Sequence, residues 1–121
     1  RLGLIPATIS PYVISRIGES NCRDIFLSGE IFNAEKANKI GLVNEVVKPS
    51  DLEKSVDSYI SFFKKTSRQA VSSSKALIQT LRPKVSDKLI DETARRLADT
   101  WESNDAQKGI KGFLDKSKVI W

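Results

Sequence analysis

The sequence predicts a mainly α chain. Apolar residues recur at helical spacing through its second half. Serine and asparagine caps, with glycine and proline stops, divide it into short helical stretches. Only Leu42–Val47 (LVNEVV) is apolar and β-branched enough to be a clear strand.

Taken in order, Leu2–Ile5 is a short apolar run closed by Pro6, read as a strand end or a buried loop. Ser10-Pro11 opens a helix: a serine caps it, and proline stands where an N–H would have no partner. That helix should stop at Gly18, and a second, about Ser20–Leu27, at Gly29. Asn33 caps a third, Ala34–Ile40, closed by Gly41, and Pro49 ends the strand that follows. Ser50 with Glu53 three residues on reads as a capping box opening a helix to about Lys65. Leu52, Val56, Tyr59, Ile60 and Phe63 fall on one face of it.

Further helices are predicted over Arg68–Leu81 and about Asp87–Glu102, separated by the Arg82-Pro83 break. The second is capped by Ser86 and turns Leu89, Ile90, Ala94, Leu97, Ala98 and Trp101 inward. A last short helix runs from Asp105 to near Leu114. Residues 1–49 are short pieces punctuated by glycine, as though finishing a structure begun upstream, whereas 50–121 read as a helical layer. A six-residue strand needs a neighbour, and the chain offers none. We therefore expect a fragment of a larger protein.

Composition removes several chemistries. The 121 residues include no histidine and one cysteine, so a Ser-His or Cys-His nucleophile pair, an internal disulfide and a structural zinc site cannot be assembled here. No Gly-rich phosphate loop occurs. No apolar run approaches the roughly 20 residues that span a bilayer, and no signal peptide opens the chain. The expectation is a soluble protein with no metal and no membrane partner, cytoplasmic or in an organelle matrix rather than secreted. The net charge of +5 suits an anionic ligand or a solvated surface; with no nucleic-acid motif, nucleic acid is not expected as a partner. Cys22 reads as a small buried hydrophobe, and Trp101 and Trp121 as core or interface anchors. The pairs Lys64-Lys65 and Arg95-Arg96 read as surface charge, and Glu19, Glu30 and Glu45 as exposed carboxylates.

Three motifs occur together. Phe26–Val47 contains Leu27-Ser28-Gly29-Glu30, then Ala34 with Ala37, then Gly41-Leu42-Val43 through Val46-Val47. Near the end stand Ser103-Asn104-Asp105-Ala106, Gly109-Ile110, Phe113-Leu114 and Lys116. At the start stands Leu2-Gly3-Leu4-Ile5-Pro6. In this order and spacing they resemble the crotonase (enoyl-CoA hydratase/isomerase) superfamily. The resemblance covers the whole chain, although 50–102 match mainly in helix layout. Ala7-Thr8-Ile9-Ser10-Pro11 replaces a glycine-rich continuation and resembles a subgroup that includes methylglutaconyl-CoA hydratase-like enzymes.

The resemblance implies a C-terminal helical domain of the ClpP/crotonase-like α/β fold, with one or two short strands left from the core domain. Residues 1–49 would end the core, and 50–121 would cover CoA and support oligomerisation. The catalytic glutamate would fall just before Arg1, so no catalytic residue is expected within the chain. The parent would hydrate α,β-unsaturated acyl-CoA as a homo-trimer or hexamer, with CoA as part of the substrate and no separate cofactor; isomerase chemistry, or a helical assembly module, is the alternative. Ile5, Pro6 and Ala7 would form an acyl-pocket wall. Phe113 and Lys116 match an aromatic and a lysine that lie near CoA, against the alternative of a core aromatic and a helix-end charge.

Overall fold

A computed structural model describes residues 2–121. Its described residues form six α-helices and one 3-10 turn, with no strand. They are α1 (Ser10–Ser28), α2 (Ala34–Lys39), the turn Pro49–Asp51, α3 (Leu52–Lys64), α4 (Arg68–Leu81), α5 (Asp87–Trp101) and α6 (Asn104–Leu114). Two compact units result: residues up to Phe32 together with Lys84–Trp121, and Asn33–Pro83.

In the first unit α1 comprises the two helices expected over 11–27, which meet at a kink at the non-helical Gly18. Gly18 has φ 77° and ψ 163°, a geometry that excludes a Cβ, and the Asn21 side-chain amide donates to the Ile17 carbonyl across the kink at 2.8 Å. Ser10 does not cap α1. It is already helical, and its hydroxyl donates back to the Pro6 carbonyl at 2.5 Å. Gly29 closes the helix in the left-handed region. Ser86 and Ser103 cap α5 and α6 by accepting from the Leu89 and Ala106 amides. Ala7, Ile17, Cys22, Ala106, Gly109 and Gly112 are the buried residues of this unit.

In the second unit Asn33 and Ser67 cap α2 and α4 through their side-chain oxygens. The capping box at Ser50 and Glu53 is absent; a 3-10 turn leads directly into α3 without a side-chain cap. The strand expected at 42–47 is absent too. Its first amides cap α2 instead: Leu42 N–H donates to the Ala37 carbonyl at 2.9 Å. The Asn38 amide then donates to the Val43 and Asn44 carbonyls. A segment whose polar backbone is engaged this way, with no neighbouring strand, forms no ladder. Leu2–Ile5 is likewise irregular.

The apolar faces of α3, α4 and α5 are present as predicted but remain uncovered. No residue of these three helices is buried, and Leu52, Phe63, Leu77, Ile78, Leu81 and Trp101 are all exposed. Periodicity thus located the helices, while the inward orientation expected for the α5 residues is not realised within the chain. Trp101 and Trp121 are surface residues and not core.

Candidate functional site

The residues singled out for binding all belong to the first unit and gather around α6. At its C-terminal end the chain closes in a Schellman arrangement. Ser117 N–H donates to the Gly112 carbonyl at 2.9 Å and Lys116 N–H to the Phe113 carbonyl at 3.3 Å. Lys116 occupies the left-handed position with φ 51°, the one described non-glycine residue with positive φ. Its ammonium is therefore carried on a fixed turn. Phe113, one turn beyond Gly109, leaves 70% of its surface exposed and packs in no core of this chain. An exposed ring beside an exposed ammonium can stack on a base and attract a phosphate.

Beside that turn, the chain end folds back on α6. Lys108 Nζ donates to the Ile120 carbonyl at 2.5 Å, and a cavity of about 350 Å³ opens between α6 and the tail. Lys108, Lys111 and Lys118 line it with Asp115. Lys111, Lys116 and Lys118 bias this end of the molecule toward anions. The sequence reading missed this lysine group; Lys108 and Lys111, three apart on one helix face, carried the signal.

The expected wall residues follow Leu2-Gly3, the segment that meets the first turns of α6. Ala7 is buried, Pro6 is half-buried and Ile5 is exposed. The Pro6 carbonyl accepts from both the amide (3.1 Å) and the hydroxyl of Ser10, so the wall is fixed to the first turn of α1. Leu2-Gly3 rests directly on the buried face of α6 at Asp105, Ala106 and Gly109.

Some of the other ionisable residues form local pairs. Glu19 binds Arg23 at 2.7 Å, and Glu45 accepts from the Ser55 hydroxyl at 2.5 Å. On α5, Glu92 accepts from Arg95 (2.7 Å) and Arg96 (2.6 Å), while Arg95 also reaches Asp99 at 3.1 Å. Hydrogen bonds from Arg95 and Arg96 lower the Glu92 carboxyl below its ordinary value, and Glu92 keeps Arg95 charged. This is a solvated helix face, as the sequence suggested for the arginine pair. Cys22 is buried with 3% exposure, which raises its thiol above the ordinary value.

A kinked helix, a run of short capped helices and a closing helix that binds back on the chain start define a helical C-terminal layer. The family model for enoyl-CoA hydratase/isomerase matches residues 1–121, and the chain belongs to that family. Among curated relatives, the 1,4-dihydroxy-2-naphthoyl-CoA synthase of Mycolicibacterium smegmatis is 30% identical over 113 residues; the match covers 93% of this chain and 36% of that protein. The short-chain-enoyl-CoA hydratase of Clostridioides difficile is 28% identical over 113 residues, covering 93% of this chain and 73% of that protein. The crystal structure of an enoyl-CoA hydratase/isomerase from Pseudoalteromonas atlantica superposes with a TM-score of 0.76 at 21% identity, over 99% of this chain and 49% of its own. That likeness establishes the crotonase fold. The chain spans only part of these relatives, about half of the solved structure.

Proposed function

We propose that this chain is the C-terminal part of an enoyl-CoA hydratase, which adds water across the α,β double bond of an acyl-CoA thioester. Membership of the family supports the substrate class. The Leu2–Pro6 segment resembles the stretch that follows the catalytic glutamate in hydratases of the family, and isomerase chemistry, which differs in carboxylates upstream of this chain, is the alternative. In this reading a glutamate positions or deprotonates water while two backbone N–H groups, also upstream, stabilise the charge that develops on the thioester oxygen. Ile5, Pro6 and Ala7 wall the acyl group, and the chain by itself turns over nothing.

The observation that carries the binding role is the exposure of Phe113 beside the Lys116 turn. Within the chain this ring stands free to stack on adenine, and the ammonium to meet a phosphate, in CoA held by the same or a neighbouring subunit. Residues 50–121 would then serve to cover CoA and to assemble the protein as a trimer or hexamer, which accords with the uncovered apolar faces of α3, α4 and α5. The test is hydration of crotonyl-CoA by the whole protein, followed by loss of the enone absorbance, with calorimetry of acetoacetyl-CoA against this chain alone. Hydration by the whole protein and none by the chain is the expected result. Double-bond migration without hydration would favour the isomerase reading, and turnover by the chain alone would refute the division of labour.

A further inference from the structure

We infer that Gly109 is a positioning residue, whose missing side chain sets the seat of Leu2-Gly3 on α6 and thereby the line of the Ile5–Ala7 wall; this rests on the enoyl-CoA reading above. Ala106, Gly109 and Gly112 recur every three residues and are the buried residues of α6, with Ala106 at 0% exposure. Two segments ride on this face, and they do so differently.

At Gly109 the neighbour is backbone. A Cβ there would run into the Leu2 carbonyl group, with Leu2 Cα only 2.8 Å away. The contact is reciprocal, since a Cβ on Gly3 would meet the Asp105 carbonyl and lie 2.6 Å from the Ala106 nitrogen. Gly3 also has φ +68°. Neither clash can be relieved by a rotamer change, so the main chain must move. At Gly112 the obstacle is a methyl of Val119, the end of a side chain on the tail.

Displacement at Leu2 has little room to dissipate. Pro6 has a fixed φ, and its carbonyl is held by Ser10 four residues further on. A shift of Leu2 is therefore absorbed by Gly3–Ile5 and by whatever precedes Leu2, which in the proposed enzyme is the strip bearing the catalytic carboxylate. Phe113 follows Gly109 on the same helix and Lys116 lies in the turn that closes it, and that closure does not involve Leu2. The signature is thus a loss of turnover without a loss of CoA affinity.

The test is Gly109→Ala in the whole protein. We expect kcat for crotonyl-CoA to fall roughly 10- to 100-fold, the usual consequence of misplacing a reacting group by about 1 Å, with KM held within about twofold. Ala37→Gly, at a buried position of α2 in the other unit, should lower Tm while leaving kcat within about twofold. If Gly109→Ala does not fold, Ala106→Gly loosens the same seat more gently and should lower kcat about threefold or more at unchanged KM. An unchanged kcat in the folded Gly109→Ala protein, or a kcat loss in Ala37→Gly of the same size, overturns the inference. A parent protein with no enoyl-CoA turnover overturns the enoyl-CoA reading instead. The seat is then read by amide resonances: those of Gly3, Leu4 and Ile5 must move in Gly109→Ala, and unmoved resonances overturn the inference.

Discussion

Replacing Lys116 by glycine should make the protein more stable and a poorer binder of acyl-CoA. Lys116 holds φ 51° at the left-handed position of the α6 closure, where an L-residue costs about 1–2 kcal/mol relative to glycine. Glycine gives back about 0.5–1 kcal/mol through the freedom of its unfolded chain, which leaves a net gain of about 0.5–1 kcal/mol. For a chain of this size that is a rise in Tm of about 2–6 °C, measured by thermal unfolding followed by circular dichroism. The same change removes an exposed ammonium from the proposed CoA site. An exposed ion pair contributes about 0.2–1 kcal/mol, so KM for crotonyl-CoA should rise at most about fivefold, with kcat unchanged. Stability rises while affinity falls, which a merely damaged protein cannot imitate. A lowered Tm would refute the strained-turn account, and an unchanged KM the CoA contact.

Lys116→Glu reverses the charge and should raise KM further than the glycine variant, with the difference shrinking at high salt. Phe113→Ala should cost less than about 1 kcal/mol of folding stability, because most of the ring is already exposed, yet weaken binding of the adenine-bearing thioester by about 1–3 kcal/mol in calorimetry. Gly41→Ala tests φ alone: φ is 78° and no atom lies within 4 Å of the added Cβ, so a loss of about 1–2 kcal/mol in chemical unfolding is expected with no change in kcat. Burial raises the Cys22 thiol, so its alkylation in the folded protein should need a higher pH than in urea. By linkage its contribution to stability is complete below the unfolded thiol value and is lost as pH rises toward the folded one. A folded protein that alkylates as fast as the unfolded one would contradict the burial.

Helices were legible because their signals are local. Ser86, Asn33 and the Gly29 and Gly41 stops act within one turn of themselves, so the sequence alone locates α2, α4 and α5 closely. What failed depended on partners. Leu42–Val47 has strand composition, but composition cannot supply a neighbouring strand, and the Ala37 carbonyl and Asn38 amide engage the backbone first. The inward face assigned to α5 needs another surface to cover it. Gly18 does break the helical geometry where the sequence puts a stop, and the two helices meet there at a kink spanned by the Asn21–Ile17 bond. The Leu2-Gly3 seat on α6 joins residues more than a hundred positions apart, and only coordinates bring them together.

That seat also explains what the closing motif reports. Ser103 caps α6, Asp105 places an acidic residue in its first turn, Ala106 is sealed, and Gly109 and Gly112 admit two passing segments. Each of these letters is accounted for by helix initiation or close packing, so the motif is a signature of how the chain end docks. It speaks to the fold for that reason and not, by itself, to the chemistry. Binding must be argued from what the packing leaves over. On α6 and its closure those are Phe113, whose ring no core claims, and Lys116, which keeps a strained turn where glycine would be easier. A residue held against its own conformational preference, with an exposed charge, is where a ligand contact is the simplest account, and a gain in stability joined to a loss of affinity in Lys116→Gly, Tm and KM both rising, is its direct measure.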